Sequence, residues 1–293
     1  MSVPPPPSSL ERPEVPAGIT PAPLPPRDDG RDGLPPWPWW APCIIAGGLI
    51  ALLIPVVVLE ATGSSSGQDS ELSTAAIVIA TLFQDLLILG LVLGLAWSTG
   101  GRPTFAQFGL RRTSFWSAFG LSAAVFIGFF LLSAIYSVAL GIEESDDLAL
   151  DLGADESIVK AVAVGLMVCV AAPITEELFF RGFLFAALWK RFGWVTGALV
   201  SGAIFGFIHV GGTEAHFLPL LALLGFLFAA LYRATGSLLP CIALHSLNNA
   251  LALGFSLKWD AWLVVAVAVL APTLLVAALW PLVSRRRLLL APG

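Results

Sequence analysis

The chain has 293 residues, of which 57% are hydrophobic and only 12% charged, against about 25% charged in an ordinary globular domain. A chain this apolar, with a mean hydropathy of +0.87, excludes a soluble domain. Its net charge of −5 gives no basic surface, so no nucleic-acid partner is expected.

Residues 1–38 contain 13 of the 22 prolines and no sustained apolar run. Such a segment cannot bury a core, and a disordered cytoplasmic tail with polyproline II character is expected. From Trp39 onward the chain turns apolar. Runs of about 20 apolar residues, the length that spans a bilayer, predict eight helices near 39–59, 74–97, 115–140, 158–189, 194–212, 216–233, 237–255 and 261–283. The predicted fold is therefore all-α, a polytopic membrane bundle over 39–284, because lipid offers no water to unpaired backbone groups. A short basic segment, 285–293, follows. The fourth helix contains Pro173 and should bend there.

Orientation follows from lysine and arginine placement. On this topology 13 of the 15 basic residues fall on one side and only Lys160 and Lys258 on the other, which puts both termini in the cytoplasm. The opposite loops agree: "EATGSSSGQDSE" has no basic residue, and "EESDDLALDLGADE" reads as a solvated acidic face. Arginine outnumbers lysine twelve to three, with abundant Ala, Gly and Pro, which fits a GC-rich bacterial genome and hence a bacterial plasma membrane. Cys43, Cys169 and Cys241 sit in apolar segments without CxxC spacing and read as buried thiols.

Against this background the stretch "APITEELFFRGFLF", 171–184, stands out for Glu176, Glu177 and Arg181. Each charge costs about 2.5–3.5 kcal/mol at mid-bilayer even on lenient insertion scales. A cytoplasmic loop would avoid that cost, but the apolar run after Arg181 has no turn signal until "KRFG" at 190–193. In a helix, Glu177 and Arg181 are four residues apart and can pair. Glu176 then points about 100° away and needs another partner.

Two later helices carry polar residues at the same spacing: "FGFIH" places Phe205 below His209, and "HSLNN" places His245 and Asn249 on one face. At 1.5 Å per residue from the cytoplasmic turns, Glu176, His209, His245 and Asn249 lie roughly 21, 24, 14 and 20 Å deep. A shared polar cavity is expected. A carboxylate and an imidazole can hold a water and take its proton, while a second imidazole and an amide can stabilise the oxyanion formed when that water attacks a carbonyl. These are parts for amide hydrolysis.

The three patterns, "EELFFR" at 176–181, "FGFIH" at 205–209 and "HSLNN" at 245–249, in that order, resemble the CAAX protease and bacteriocin-processing family, also called Abi or CPBP. The resemblance covers about 156–254. It implies an intramembrane endopeptidase similar to type II CAAX prenyl proteases, acting on membrane-associated or C-terminal CAAX-like protein or peptide substrates, some of them lipidated, in contact with membrane lipid. By the same resemblance Glu176 is the general base, His209 helps hold the water, His245 and Asn249 form the oxyanion hole, and Glu177, Arg181 and Phe205 give structural support.

No cofactor is favoured. The nearest alternative is a zinc enzyme with Glu176, His209 and His245 as ligands, although the chain has no HExxH motif. A catalytically silent scaffold or bacteriocin-immunity protein is a second alternative. A transporter is a third, suggested by Gln84 and Asp85 within the second helix, though no inverted repeat accompanies them. Asp85 is also a candidate second partner for Arg181. "GLVLG" at 90–94 and "GAIFG" at 202–206 have the small-xxx-small spacing of closely packed helices, which fixes no oligomeric state.

Overall fold

The computed structural model describes residues 34–62, 74–142 and 148–283, apart from the side chains of 53–62 and 148. The tail before residue 34, the loop 63–73, the acidic run 143–147 and the basic end 284–293 lie outside the described residues, as do the expectations for them.

The all-α reading holds: among the described residues there is no strand, and eight apolar helices follow the predicted order. They are α1 (Trp40–Thr62), α2 (Thr74–Gly100), α3 (Phe115–Leu140), α4 (Ile158–Phe192), α5 (Trp194–Phe207), α6 (Leu218–Thr235), α7 (Leu238–Ser256) and α8 (Ala261–Leu279). Among the described residues, six of the helical stretches are long and apolar enough to cross a membrane. The shorter apolar ones are Trp40–Leu52 and α5.

Helix α5 stops at Phe207 instead of reaching 212, because the pair Gly211–Gly212 follows and Gly211 adopts φ +83°, a left-handed conformation that glycine tolerates. Its 14 residues rise only about 21 Å, short of a hydrocarbon core about 30 Å thick. The shortened helix packs backbone to backbone on α6. A Cβ at Gly202 would meet the Ala222 carbonyl at 2.7 Å, and one at Gly206 the Leu218 carbonyl at 2.6 Å. The "GAIFG" reading is thus realised. The "GLVLG" reading is not, since a Cβ at Gly90 or Gly94 would meet nothing within 4 Å.

The tail boundary also moves. Residues 34–38, assigned above to the disordered segment, are packed: Leu34 is buried, and Trp37 stacks on Phe108 with ring centroids 4.8 Å apart. Trp37 Nε1 donates to the Phe183 carbonyl at 3.4 Å, and Lys190 Nζ donates to the Pro35 carbonyl at 3.3 Å. An indole offers a large apolar area and one donor, and both are used. This strap fastens α4 near its C-terminal end.

Side-chain caps set the starts of the two helices that carry most of the site. Ser157 Oγ accepts from Lys160 N–H at the start of α4, and Ser237 Oγ accepts from Leu239 N–H at the start of α7. Ser237 Oγ also donates to the Arg111 carbonyl at 2.7 Å, which ties α7 to the loop before α3.

Candidate active site

The site is built on α4, whose backbone departs from regular α geometry on both sides of the glutamates. Residues Met167–Ala171 and Leu178–Phe185 are π-helical and flank the α-helical Ala172–Glu177. The first departure follows from Pro173. A proline has no N–H to give to an earlier carbonyl, and its ring crowds the preceding turn. The Ala172 N–H bonds the Met167 carbonyl, so Val168 loses its ordinary donor, and Pro173 cannot supply the next. Helix α7 supplies replacements: Asn249 Nδ2 donates to the Val168 carbonyl at 2.8 Å and Ser246 Oγ to the Cys169 carbonyl at 2.7 Å. The proline that bends α4 thereby creates acceptors that fix α7 against it.

One turn further, Glu177 and Arg181 are both wholly buried and pair through Arg181 Nη1 and Glu177 Oε1 at 2.8 Å. Arg181 Nη2 donates to the Gly225 carbonyl at 3.3 Å, and the guanidinium lies 4.7 Å from the Phe205 ring centre and 5.0 Å from that of Phe228. The cation is therefore held between one carboxylate and aromatic faces. Asp85 is not among its partners: with Glu176 it lines a cavity whose walls do not include Arg181.

Sequence reasoning missed what His245 does. Its Nδ1 lies 2.8 Å from Glu177 Oε1, the oxygen Arg181 also uses, and its Nε2 lies 3.8 Å from Glu176 Oε2. The ring bridges the two adjacent glutamates. Because a carboxylate only accepts, Nδ1 carries the proton. In the neutral ring, Nε2 then presents its lone pair toward Glu176. Four-residue periodicity within one helix could not reveal a contact between α4 and α7; the signal available was only that Glu177 and His245 were both polar groups inside lipid.

Glu176 is the less buried glutamate, its side chain 21% exposed, yet its Oε2 is shielded from solvent and has no hydrogen-bond partner. It borders a cavity of about 120 Å³ whose walls include Leu49 and Leu52 of α1, Gln84 and Asp85 of α2, and Ile208. Such a volume exceeds the roughly 10–15 Å³ that one ordered water requires.

His209 lies two residues beyond the end of α5, and its Nδ1 donates to the Phe205 carbonyl at 2.7 Å, so Nε2 is its free nitrogen. No hydrogen bond or ion pair joins it to Glu176 among the described residues. The Phe205 ring touches both imidazoles, 5.0 Å from His209 and 5.9 Å from His245 between centroids. The structure thus brings Glu176, Glu177, Arg181, His245 and Phe205 into one cluster, sets His209 on its border, and turns the Asn249 amide to the α4 backbone. Among the described residues no three His, Cys, Asp or Glu side chains are grouped to hold a metal. The Nδ1 atoms of both histidines are committed elsewhere.

Comparison with known proteins points to the same part of the chain. Residues 158–251 match the Rce1-like family, described as type II CAAX prenyl endopeptidase Rce1-like. The resemblance to CAAX protease and bacteriocin-processing proteins therefore holds over the segment that carries all three motifs.

Among individual relatives, the chain is 36% identical over 90 residues to a Bacillus subtilis (strain 168) protein named "Putative membrane peptidase YdiL", covering 30% of this chain and 36% of that one. It is 28% identical over 138 residues to an Escherichia coli protein named "Uncharacterized 24.3 kDa protein", covering 46% of this chain and 61% of the other. The matched regions thus span less than two thirds of either relative. No solved structure gives a significant match.

Proposed function

We propose that this protein is an intramembrane endopeptidase that hydrolyses peptide bonds with water activated by Glu176. The observation that carries the reading is the Glu176 carboxylate oxygen, buried, unpartnered and 3.8 Å from His245 Nε2, at the edge of a cavity large enough for water. Both atoms accept hydrogen bonds when His245 is neutral, so one water can donate a hydrogen to each. Glu176 takes a proton from that water, the oxygen bonds to the scissile carbonyl carbon, and the proton passes to the departing nitrogen as the C–N bond breaks.

Asn249 is the available donor for the developing oxyanion, through the amide hydrogen that Val168 does not use, while His209 Nε2, an acceptor because Nδ1 holds the ring proton, stands on the border of the site where it can help orient the water. Glu177, held by Arg181, fixes the tautomer and angle of His245, as a buried carboxylate does for a catalytic imidazole. The similarity to type II CAAX prenyl endopeptidases supports a protein or peptide substrate in or at the membrane. C-terminal peptides of lipidated proteins are one class to test. The basic-residue asymmetry supports cytoplasmic termini in a bacterial plasma membrane.

The test is cleavage of a mixed peptide library, with and without prenylated CAAX peptides, by detergent-purified protein and by Glu176→Gln, each with and without chelator. The expected result is cleavage that Glu176→Gln abolishes and chelator leaves intact. Loss on chelation with recovery on adding zinc would replace the water-activating glutamate with a metal centre. Equal backgrounds from both folded forms would favour a silent scaffold.

A further inference from the structure

A peptide inside a bilayer is helical, since lipid gives its backbone N–H and C=O groups nothing else to bond. A helix also encloses its carbonyl carbons within its own turns, so hydrolysis requires a short stretch around the cleaved bond to unwind. Each backbone group freed by unwinding then needs a partner on the enzyme. A sheet edge would supply such partners, but among the described residues there is no strand, and helices keep their backbone groups for themselves. Side chains are left to do it.

The cavity beside Glu176 carries a pair of side chains that the hydrolytic step does not use. Gln84 and Asp85 are neighbours on α2, a helix with no other charged residue, and they line the cavity together with Thr175 and Glu176 of α4. Asp85 is only 8% exposed, and its Oδ2 is buried without a hydrogen-bond partner in the protein. Gln84 is exposed and makes no hydrogen bond among the described residues. The two therefore run from the mouth of the cavity inward. Leu52 of α1, on the same cavity, is 71% exposed, so the cavity reaches the apolar outer face of the bundle from which a membrane peptide would come.

The level is right as well. Gly100 of α2 and Lys190 of α4 lie at the same end of the bundle, both against the strap, at Pro36 and Pro35. Counted from these residues at 1.5 Å per residue, Asp85 stands roughly 22 Å and Glu176 roughly 21 Å along their helices.

We infer that Gln84 and Asp85 form a subsite for the main chain of an unwound substrate segment, next to the bond that the Glu176 water attacks. A carboxamide offers a donor and an acceptor, the same pair a peptide unit offers, so Gln84 bonds one freed C=O and one freed N–H. Asp85 accepts from a second N–H, which a carboxyl oxygen does in either protonation state. Such a subsite grips the backbone and places little demand on side chains. The substrates it favours are apolar segments that unwind readily, with glycine or proline near the cleaved bond. Its purpose rests on the proposed peptidase reading, but main-chain binding can be measured without cleavage.

The experiment is an ester scan on the full-length protein in detergent. In a peptide that the wild type cleaves, each peptide bond except the scissile one is replaced in turn by an ester, which removes one N–H and weakens one acceptor. Where none is cleaved, the probe is a leucine-rich peptide of about 20 residues with a central glycine–proline pair. Cleavage is read as kcat/KM, and binding to Glu176→Gln is read by energy transfer from tryptophan to a dansyl group on the peptide.

An ester at one position should lower kcat/KM or affinity about tenfold wherever Asp85 is present. Asp85→Leu should weaken the all-amide peptide by a similar factor and abolish the further effect of that ester. Asp85→Asn, which keeps an acceptor oxygen, should retain it. Gln84→Leu should abolish an ester effect at a neighbouring position and leave the first in place; because Gln84 is exposed, this variant reads the subsite even if Asp85→Leu fails to fold.

An ester pattern unchanged in Asp85→Leu and Gln84→Leu, with both merely less active, would give these residues a structural part only and overturn the inference. So would the lack of any ester effect in the wild type, or failure of either peptide to bind. Cleavage by no form, with an ester pattern in binding that still depends on Asp85 and Gln84, would uphold the subsite and refute the peptidase reading.

Discussion

The buried pair Glu177–Arg181 should be costly to break and cheap to remove whole. Both side chains are wholly inaccessible, so taking away one partner strands a charge in the bundle. For such pairs that costs about 3–5 kcal/mol, or roughly two to nearly four powers of ten in the folding equilibrium. The intact pair is itself incompletely satisfied, since Glu177 Oε2 and Arg181 Nε have no partner, which limits what it contributes when present.

Arg181→Met keeps an unbranched chain against Phe205 and Phe228 but strands Glu177; Glu177→Gln keeps an acceptor for His245 Nδ1 but strands Arg181. The double variant Glu177→Gln, Arg181→Met strands neither and should resist unfolding better than either single one. Unfolding in a titration of denaturing into mild detergent, followed by the fluorescence of the chain's 10 tryptophans, gives all four values. Destabilisation of the double variant equal to the sum of the singles would refute the reasoning, because independent sites add and coupled ones do not.

Asn249→Ala should cost about 1–3 kcal/mol of stability by orphaning the Val168 carbonyl; a fully stable variant with lost cleavage would instead give Asn249 a purely chemical part. Trp37→Ala, measured in the same unfolding titration, should cost about 3–5 kcal/mol, since the indole is 1% exposed between Phe108 and Phe183. Gly202→Val should destabilise more than Gly90→Val, because only the first would press a side chain into a neighbouring backbone.

Much of this architecture was legible because lipid imposes one rule on every span: a long apolar run must be helical. The order of the helices and the pairing of Glu177 with Arg181 depend on composition and spacing within one segment. What could not be read were contacts between segments. That His245 joins both glutamates depends on how α7 sits against α4, and that placement depends in turn on carbonyls freed around Pro173. The strap at Trp37 was hidden for another reason. Its proline-rich surroundings average to a disordered composition, and a windowed reading cannot see that one indole finds a slot. The early end of α5 had a visible cause in "GGT" after His209, but the apolar residues before it drew the helix too far.

The two π segments also change what an insertion or deletion in α4 would do. Each accommodates more chain per turn than an α-helix, so losing one residue within Met167–Ala171 or Leu178–Phe185 could be absorbed by a return to ordinary helical winding, with little change in length. The facing of the flanking residues would be largely kept as well, because the wide turn gives up the residue it holds in excess. A residue lost from the regular α-helical stretch Ala172–Glu177 has no such reserve and would turn the helix beyond it by about 100°. Single-residue deletions in the two π segments should therefore be tolerated far better than one between them, which would turn the acids or Arg181 toward the wrong neighbour.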